Sequence, residues 1–525
     1  MRISCKQQSL LIDILKQKCK TIKQIQQVHA QAISRGLLSL HPTPLFTQIL
    51  QSSTSSQISS IQYISKIFNL IPYRSTFHYN IMIRACSILF TPHTGLMFFN
   101  KMRQESIPPD FYTYPFVIKA CGCLQNGLSL AKTLHSEAVK FGFSDDIFVG
   151  NSLACIYCKN GEIELANKLF DESLYRDVVT YNVMIDGFVK AGEIGKARGL
   201  FDEMPERDAV SWGTLLAGYA KTNRCKEVVE LFDHMVASKV KFDNVALVSM
   251  LSACAQLGEI EKGKMVHEYI GKNGIRVDSY LGTGLVDMHA KCGCIEIAME
   301  VFESCGKKNV PLWNAMLVGL AMHGRGNLLL KYFTIMVEDG VQPDGVTILG
   351  VLVGCSHSGL INSAKWIFRN MESVFGVQRE LKHYGCMADL LGRAGLIEEA
   401  MEMIEAMPMV GDVFVWGGLL GGCKLHGNVE VAEVAAKHVI EVKPEDGGVY
   451  SAMANVYANS QRWDDLVKVR KLKDCRLGIE KNAGCSCIQL NGVNHEFVSG
   501  DCLHPRTDDI YTVLNRLEHH QFEAF

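Results

Sequence analysis

The chain has 525 residues, 48% hydrophobic and 21% charged, with 53 Lys and Arg against 55 Asp and Glu, 45 Gly, 13 Pro and 19 Cys. Such a composition buries a large core and excludes wholesale disorder, collagen and coiled coil; the longest clean apolar run, about 346–355, is too short to span a bilayer. Residues 1–104 carry 12 basic residues and one acid, leaving 41 basic and 54 acidic residues for the remainder, so a basic arm suited to organelle targeting or a polyanion precedes a body that is no polycationic nucleic-acid binder.

In chain order, the arm comes first. Arg2, Lys6, Lys16, Lys18, Lys20 and Lys23 against the lone Asp13 fit a transit peptide, with residues 1–9 assigned to the targeting segment. CKTIKQIQQVHAQAI already reads as a degenerate repeat, which gives two such units at 10–42 and 43–75. Ten clear units follow, at 76–110, 111–146, 147–177, 178–208, 209–243, 244–278, 279–309, 310–344, 345–380 and 381–412. Their fifteenth position is Gly in Gly161, Gly192, Gly258, Gly293, Gly324, Gly359 and Gly395. Their twentieth is Ala in Ala166, Ala197, Ala298, Ala364 and Ala400. Phe recurs at the twenty-fourth (Phe170, Phe201, Phe302) and Met at the twenty-seventh (Met204, Met235, Met336).

A period of 31–36 residues explains all four sets. In 178–208 two helical patterns, about 178–190 and 194–204, flank Gly192. Gly breaks the first helix with a left-handed turn, Ala lets the second helix approach closely, and Phe and Met fill the space between neighbouring hairpins. One hairpin cannot bury its apolar face alone, so the units stack into a solenoid. Two repeat-like units, 413–446 and 447–480, extend the array, and a tail at 481–525 closes it. The odd cysteine count, in contexts such as Ser-Ala-Cys and Lys-Cys-Gly, points to free thiols in a reducing compartment.

The blocks VVTYNVMIDGFVKAGEIGKARGLFDEM, TFHYNIMIRAC at 76 and NVPLWNAMLVGLAMHG at 309 resemble the pentatricopeptide repeat. Alternation of 35-residue units, 35–36-residue units such as VSMLSACAQLGEIEKGKMVHEYI and 31–32-residue units is similar to the P-L-S subfamily of land-plant organelle proteins. The doubled short units at 147–177 and 178–208 depart from it. Beyond 412, VFVWGGLLGGCKLHGNVEVAE and YSAMANVYANSQRWDDLVKVRKL resemble its E-type extension, and AGCSCIQLNGVNHEFVSGDCLHPRTDDIY resembles the E-plus or PG-box segment that opens a DYW deaminase domain, with Ala483-Gly484 and Cys487 where the family has Pro-Gly and Trp. The chain ends before a full deaminase is expected to form.

The resemblance implies an all-α fold, a right-handed solenoid superhelix of helix-turn-helix repeats like that of tetratricopeptide proteins. It implies single-stranded RNA read one base per repeat by the fifth and last residues. Asn80 with Asp110, Asn151 with Asp177, Asn182 with Asp208 and Asn314 with Asp344 then imply U, with C second, and Thr283 with Asn309 implies A. Gly213 with Asp243 and Gly385 with Asp412 fall outside the code, and the units with Pro115, Val248 and Leu349 read poorly. For any single Asn the plain alternative is a turn or helix cap.

One constellation imitates an enzyme. His135-Ser136-Glu137 followed by Cys155-Ile156-Tyr157-Cys158 spells the zinc-deaminase signature. It lies inside two helical repeats, and His135 occupies the same repeat feature as His29 and His267, so helix packing is the expected role. Cys121-Gly122-Cys123, Cys292-Gly293-Cys294 and Cys485-Ser486-Cys487 are spaced too tightly for tetrahedral zinc, and His519-His520 reads as a solvated tail. No Gly-rich loop with Lys-Ser/Thr supports nucleotide hydrolysis.

The expected protein is a non-enzymatic adaptor without cofactor, metal or membrane span. It selects C-to-U editing sites on organelle RNA and recruits a deaminase or editing-complex protein through the E and E-plus region. The expected address is the mitochondrion, with the chloroplast as the alternative. A splicing, stability or translation factor using the same groove, a protein-binding scaffold and a zinc deaminase in its own right remain alternatives at this point.

Overall fold

The computed structural model describes residues 2–17, 21–37, 42–55, 61–89, 91–475, 485–490, 493–498 and 504–522. Within the 178–208 repeat, the helices Val178–Lys190 and Ile194–Glu203 run on either side of Gly192, whose φ is 80°. All seven glycines of the repeat's fifteenth position are left-handed, with φ from 64° to 87°, the region where a Cβ is costly. In 209–243 Asn223 takes that place at φ 59°, as the short polar side chain allows. The alanines of the twentieth position are fully buried in all five repeats that carry them.

Aromatic side chains join one hairpin to the next. Four of the recurring Phe meet an aromatic residue at the fourth position of the following repeat edge-on: Phe170 with Tyr181 at 5.3 Å, Phe201 with Trp212 at 4.8 Å, Phe302 with Trp313 at 4.7 Å and Phe368 with Tyr384 at 5.1 Å. Such pairs contribute about 0.5–1.5 kcal/mol beyond their burial. A cation lies over the same ring: Arg176, Arg207, Lys308 and Arg379 are 4.2, 4.9, 5.0 and 5.1 Å from the centroids. Arg176 and Arg207 also donate from Nε to the Phe170 and Phe201 carbonyls, at 3.0 and 2.8 Å. Arg176, Arg207 and Lys308 directly precede the closing Asp177, Asp208 and Asn309, so the contact that seals the second helix also fixes where the last residue of the repeat sits.

The described residues hold 29 helices and one antiparallel hairpin, Cys485–Leu490 with Val493–Val498. The all-α solenoid therefore carries a short β element near its C-terminal end, in the stretch that resembles the E-plus segment. The helix Arg2–Gln17 runs through residue 10 and buries Leu11 and Leu15. Four further helices, Val413–His426, Val429–Val442, Gly447–Asn459 and Trp463–Cys475, continue the hairpin pattern past the tenth repeat. The chain divides into two compact units, Met1–Ser249 and Met250–Phe525, each an array of stacked helix hairpins. No helix among the described residues is long and apolar enough to cross a membrane, and the described cysteines are free thiols. Ala483 and Gly484, and the side chains of Cys485, Cys487, His519 and His520, lie outside the described residues.

Candidate functional site

The closing Asp177, Asp208 and Asp344 are the N-caps of the next repeat's first helix, and Asp110 stands two residues before Tyr112, the N-cap of Thr113–Cys121. Asp177 Oδ1 accepts the Thr180 backbone N–H at 2.8 Å, Asp208 Oδ1 that of Ser211 at 2.9 Å, Asp344 Oδ1 that of Thr347 at 2.8 Å and Asp110 Oδ1 that of Thr113 at 2.9 Å. This satisfies one of the donors that a helix start leaves unpaired. The same oxygen is met from the other side by the fifth residue of the same repeat. Asn80 Nδ2 donates to Asp110 Oδ1 at 2.9 Å, Asn182 to Asp208 and Asn314 to Asp344 at 3.1 Å, and Asn151 to Asp177 at 3.4 Å. The structure thus brings the two members of all four Asn/Asp pairs into contact, each within its own repeat and at the joint with the next. Cap and pair are one assembly, with the Asp rather than the Asn as the cap.

Burial alone would raise the carboxyls of Asp177, Asp208 and Asp344, but the N–H, hydroxyl and amide donors outweigh it and hold all three below the usual carboxylate range. They stay ionised through mild acid, and the stability they lend as caps is lost only as pH falls through those lowered values.

Thr283 and Asn309 are not brought together in this way. The Thr283 hydroxyl donates to the Ser279 carbonyl one turn back at 2.6 Å, and Asn309 caps Leu312 N–H at 3.2 Å. A threonine hydroxyl on a helix finds that carbonyl within its own reach. At Gly213 an added Cβ would lie 3.0 Å from Asp243 Oδ1, so this joint offers a carboxylate and no amide.

The second position of the repeats was not singled out from sequence, and it is the main addition. Phe77, Phe148, Val179, Val210, Tyr280 and Val346 are each about half exposed although apolar. Their signal was legible: an apolar residue two places after the closing Asp of five of these joints and after the closing Ser75 of the other. A cleft of about 730 Å³ is lined by Phe77, Asn80, Asp110, Tyr112 and Phe148, and the adjoining one by Phe148, Asn151, Asp177 and Val179. Each is an apolar-walled slot with an amide and a carboxylate at its edge. Lys119 and Lys159 line the second cleft and form no ion pair among the described residues. Lys190, Lys291 and Arg393 are neutralised four residues back by Asp186, Asp287 and Asp389 at 2.6–2.9 Å.

The deaminase-like signature is dispersed into packing. His135 Nδ1 lies 2.9 Å from the Tyr157 hydroxyl, and Glu137 pairs with Arg103 at 3.2 Å. Burial pushes the Cys158 thiol up to about 12, and its sulfur lies 2.4 Å from where a Cβ on Gly187 would sit. His267 is held in the same manner by His289, at 3.0 Å. Among the described residues no three His, Cys, Asp or Glu side chains are grouped to hold a metal. Replacing His135 and Glu137 together by Ala should therefore leave the metal content of the purified chain unchanged, at a stability cost of about 1–3 kcal/mol from the lost contacts. Atomic absorption showing one zinc per chain, lost in the variant, would reassign the residues to a metal site.

Residues 176–209 and 207–256 match the PPR repeat family, residues 77–107, 151–178, 245–275, 312–341 and 382–411 match the PPR repeat, and residues 426–489 match the E motif. The chain is 54% identical over 485 residues to pentatricopeptide repeat-containing protein At5g61800 of Arabidopsis thaliana, across 90% of this chain and 97% of that one. It is 35% identical over 522 residues to the chloroplastic/mitochondrial protein At1g59720 of the same plant, across 96% and 76% of the two chains. Among solved structures, maize PPR10 aligns at 16% identity and a TM-score of 0.41 over 90% of this chain and 74% of that one. PPR10 bound to an 18-nucleotide psaJ RNA element aligns at 14% and 0.37, over 91% and 90%.

Proposed function

Because the chain belongs to the pentatricopeptide repeat family, we propose that it is a sequence-specific, single-stranded RNA-binding adaptor of the mitochondrion or chloroplast. It selects sites for C-to-U editing and recruits a deaminase carried by another chain. The observation that carries this reading is the set of four Asn/Asp pairs, each closed by a hydrogen bond between the fifth and last residues of one repeat.

Each pair offers a base two groups side by side. The amide nitrogen has one proton on the carboxylate and a second one free, and the carboxylate has Oδ2 beyond its capped Oδ1. A donor beside an acceptor complements uracil, which presents a carbonyl oxygen next to its imide N–H. Cytosine meets the same two groups in reverse order. The apolar side chains of the second position supply the faces: a base entering between Phe148 and Val179 stacks on both and turns its edge to Asn151 and Asp177. Lys119 and Lys159 are placed for phosphate. The body is net acidic, so its affinity falls with salt less steeply than that of a strongly basic binder.

Recruitment is assigned to the region beyond the tenth repeat, supported by the match to the E motif. A truncation ending at 475 keeps every helix pair and should hold RNA affinity within about twofold, since no base-reading joint is touched. In plants it should fail to restore editing at the sites lost in a knockout. Full editing with the truncated chain would confine recruitment to residues 413–475, and a knockout with intact editing and defective splicing or transcript stability would sink the editing assignment.

A further inference from the structure

The four Asn/Asp joints share one more residue. The third residue of the repeat that follows each pair carries a hydroxyl: Thr113, Thr180, Ser211 and Thr347. The seven other joints from 43–75 to 381–412 carry His, Val, Ala or Leu there. Capping alone does not explain this. Asp146, Asp243, Asp278 and Asp412 cap their helices through the backbone N–H of Val149, Ala246, Leu281 and Val415, at 2.7–3.0 Å, with no hydroxyl present. The hydroxyl accompanies the Asn, not the Asp.

At two of the four joints it touches that Asn. Thr113 Oγ1 donates to Asn80 Oδ1 at 2.8 Å and lies 2.9 Å from Asp110 Oδ1; Thr347 Oγ1 donates to Asn314 Oδ1 at 2.6 Å and lies 2.9 Å from Asp344 Oδ1. Both threonines are fully buried. The amide is then held at both ends, nitrogen on the carboxylate and oxygen on the hydroxyl, and a flip would set oxygen against oxygen. At the other two joints the hydroxyl makes no contact with the Asn and serves the Asp alone: Thr180 donates to Asp177 and Ser211 to Asp208, both at 2.8 Å, and each accepts the backbone N–H of that Asp at 3.2 Å. There Asn182 Oδ1 is buried without a partner, and Asn151 keeps only its 3.4 Å contact. The division follows repeat length. The doubly held amides belong to the 35-residue units 76–110 and 310–344, and the singly held ones to the 31-residue units 147–177 and 178–208.

We infer that Thr113 and Thr347 are positioning residues for base discrimination. By fixing the Asn amide they make the 35-residue repeats strict readers of U, while the 31-residue repeats accept C nearly as well. A fixed amide presents one hydrogen-bonding pattern to the base; an amide held at one end adjusts to either pyrimidine. This inference rests on the RNA-binding reading above.

Affinities of the purified full chain for RNAs carrying U or C opposite single repeats test it. The wild type should prefer U over C by about tenfold opposite 310–344 and by about twofold opposite 178–208, the difference expected for one extra hydrogen bond in the discriminating set. This comparison needs no variant. Thr347→Val, which keeps the shape and removes the hydroxyl, should lower the U:C ratio opposite 310–344 to about twofold and leave the ratios elsewhere unchanged. Thr347→Ser should restore it, and Thr180→Val should leave the ratio opposite 147–177 as it was. A purely structural threonine would weaken binding to every RNA alike and would not move one ratio. Equal wild-type ratios at the two positions, or a Thr347→Val ratio unchanged while Asn314→Thr still alters the preferred base, overturns the inference and leaves the RNA reading standing. A wild type indifferent to all four bases opposite every repeat overturns both.

Discussion

Asn314→Thr should move the base preferred opposite 310–344 from U towards G. In the wild type the Asn314 amide occupies the slot and donates to Asp344 at 3.1 Å. Threonine is shorter and brings no amide, which leaves room for a purine and returns the Asp344 carboxylate to the base. Guanine presents two adjacent donors, N1–H and the 2-amino group, that a carboxylate accepts together. Resemblance to the family code points the same way, with Thr and Asp as its G pair. Uracil in the altered slot leaves polar groups unpaired, so the expected discrimination is about 1–3 kcal/mol, or roughly 5- to 150-fold. Binding isotherms for four RNAs differing only at that base measure it, and an unchanged preference for U would remove Asn314 from the reading set.

Gly422→Ala should destabilise the junction between the tenth repeat and its extension by about 3 kcal/mol, towards the upper end of overpacking costs. The helices Leu381–Arg393 and Val413–His426 approach through glycine on both sides: a Cβ on Gly422 would lie 2.3 Å from Gly392 Cα and 2.8 Å from its carbonyl oxygen, and one on Gly418 would lie 2.9 Å from Asp389 N. These contacts are backbone, which no rotamer change relieves. Gly421, one residue away, has no atom within 4 Å of its added Cβ, so Gly421→Ala should stabilise the same helix by about 1 kcal/mol through propensity alone. Amide hydrogen exchange across 381–426 reads both variants, and equal protection in the two would show that the close approach is not a constraint. The same contact means that cutting the chain at 413 would strip the packing from the last repeat, and a cut after 475 is the cleaner test of recruitment.

The helix hairpins were legible because their signals are local and repeated. A left-handed Gly, a buried Ala and a gap-filling Phe each answer to one steric demand, and the demand recurs every 31–36 residues. In the glycine cluster at 418–422, which of its members touches the neighbour depends on helix phase, which the run of letters does not show. Contacts across joints were less accessible. Tyr181 and Trp212 were not singled out from sequence, and only the stacked hairpins show that they face Phe170 and Phe201. The double service of Asp177, Asp208 and Asp344 was hidden for a chemical reason: an N-cap and a partner for an amide call for the same residue at the same place. Thr283 shows the converse. Its letter fits the code, but its hydroxyl is satisfied within its own helix. The basic start of the chain masked the helix Arg2–Gln17, because its buried residues are few and its charge pattern resembles that of a targeting peptide.

The most direct measurement is selection of single-stranded RNA from a randomised pool by the purified chain, followed by sequencing. With one nucleotide per repeat and the RNA running 5′ to 3′ along the chain, repeats 76–344 should enrich the pattern UNUUNNAU, where N is any base and C substitutes for U most readily at the third and fourth positions. Enrichment of no sequence, or of one whose pyrimidines do not keep that spacing, would contradict the assignment of the Asn/Asp joints as base readers.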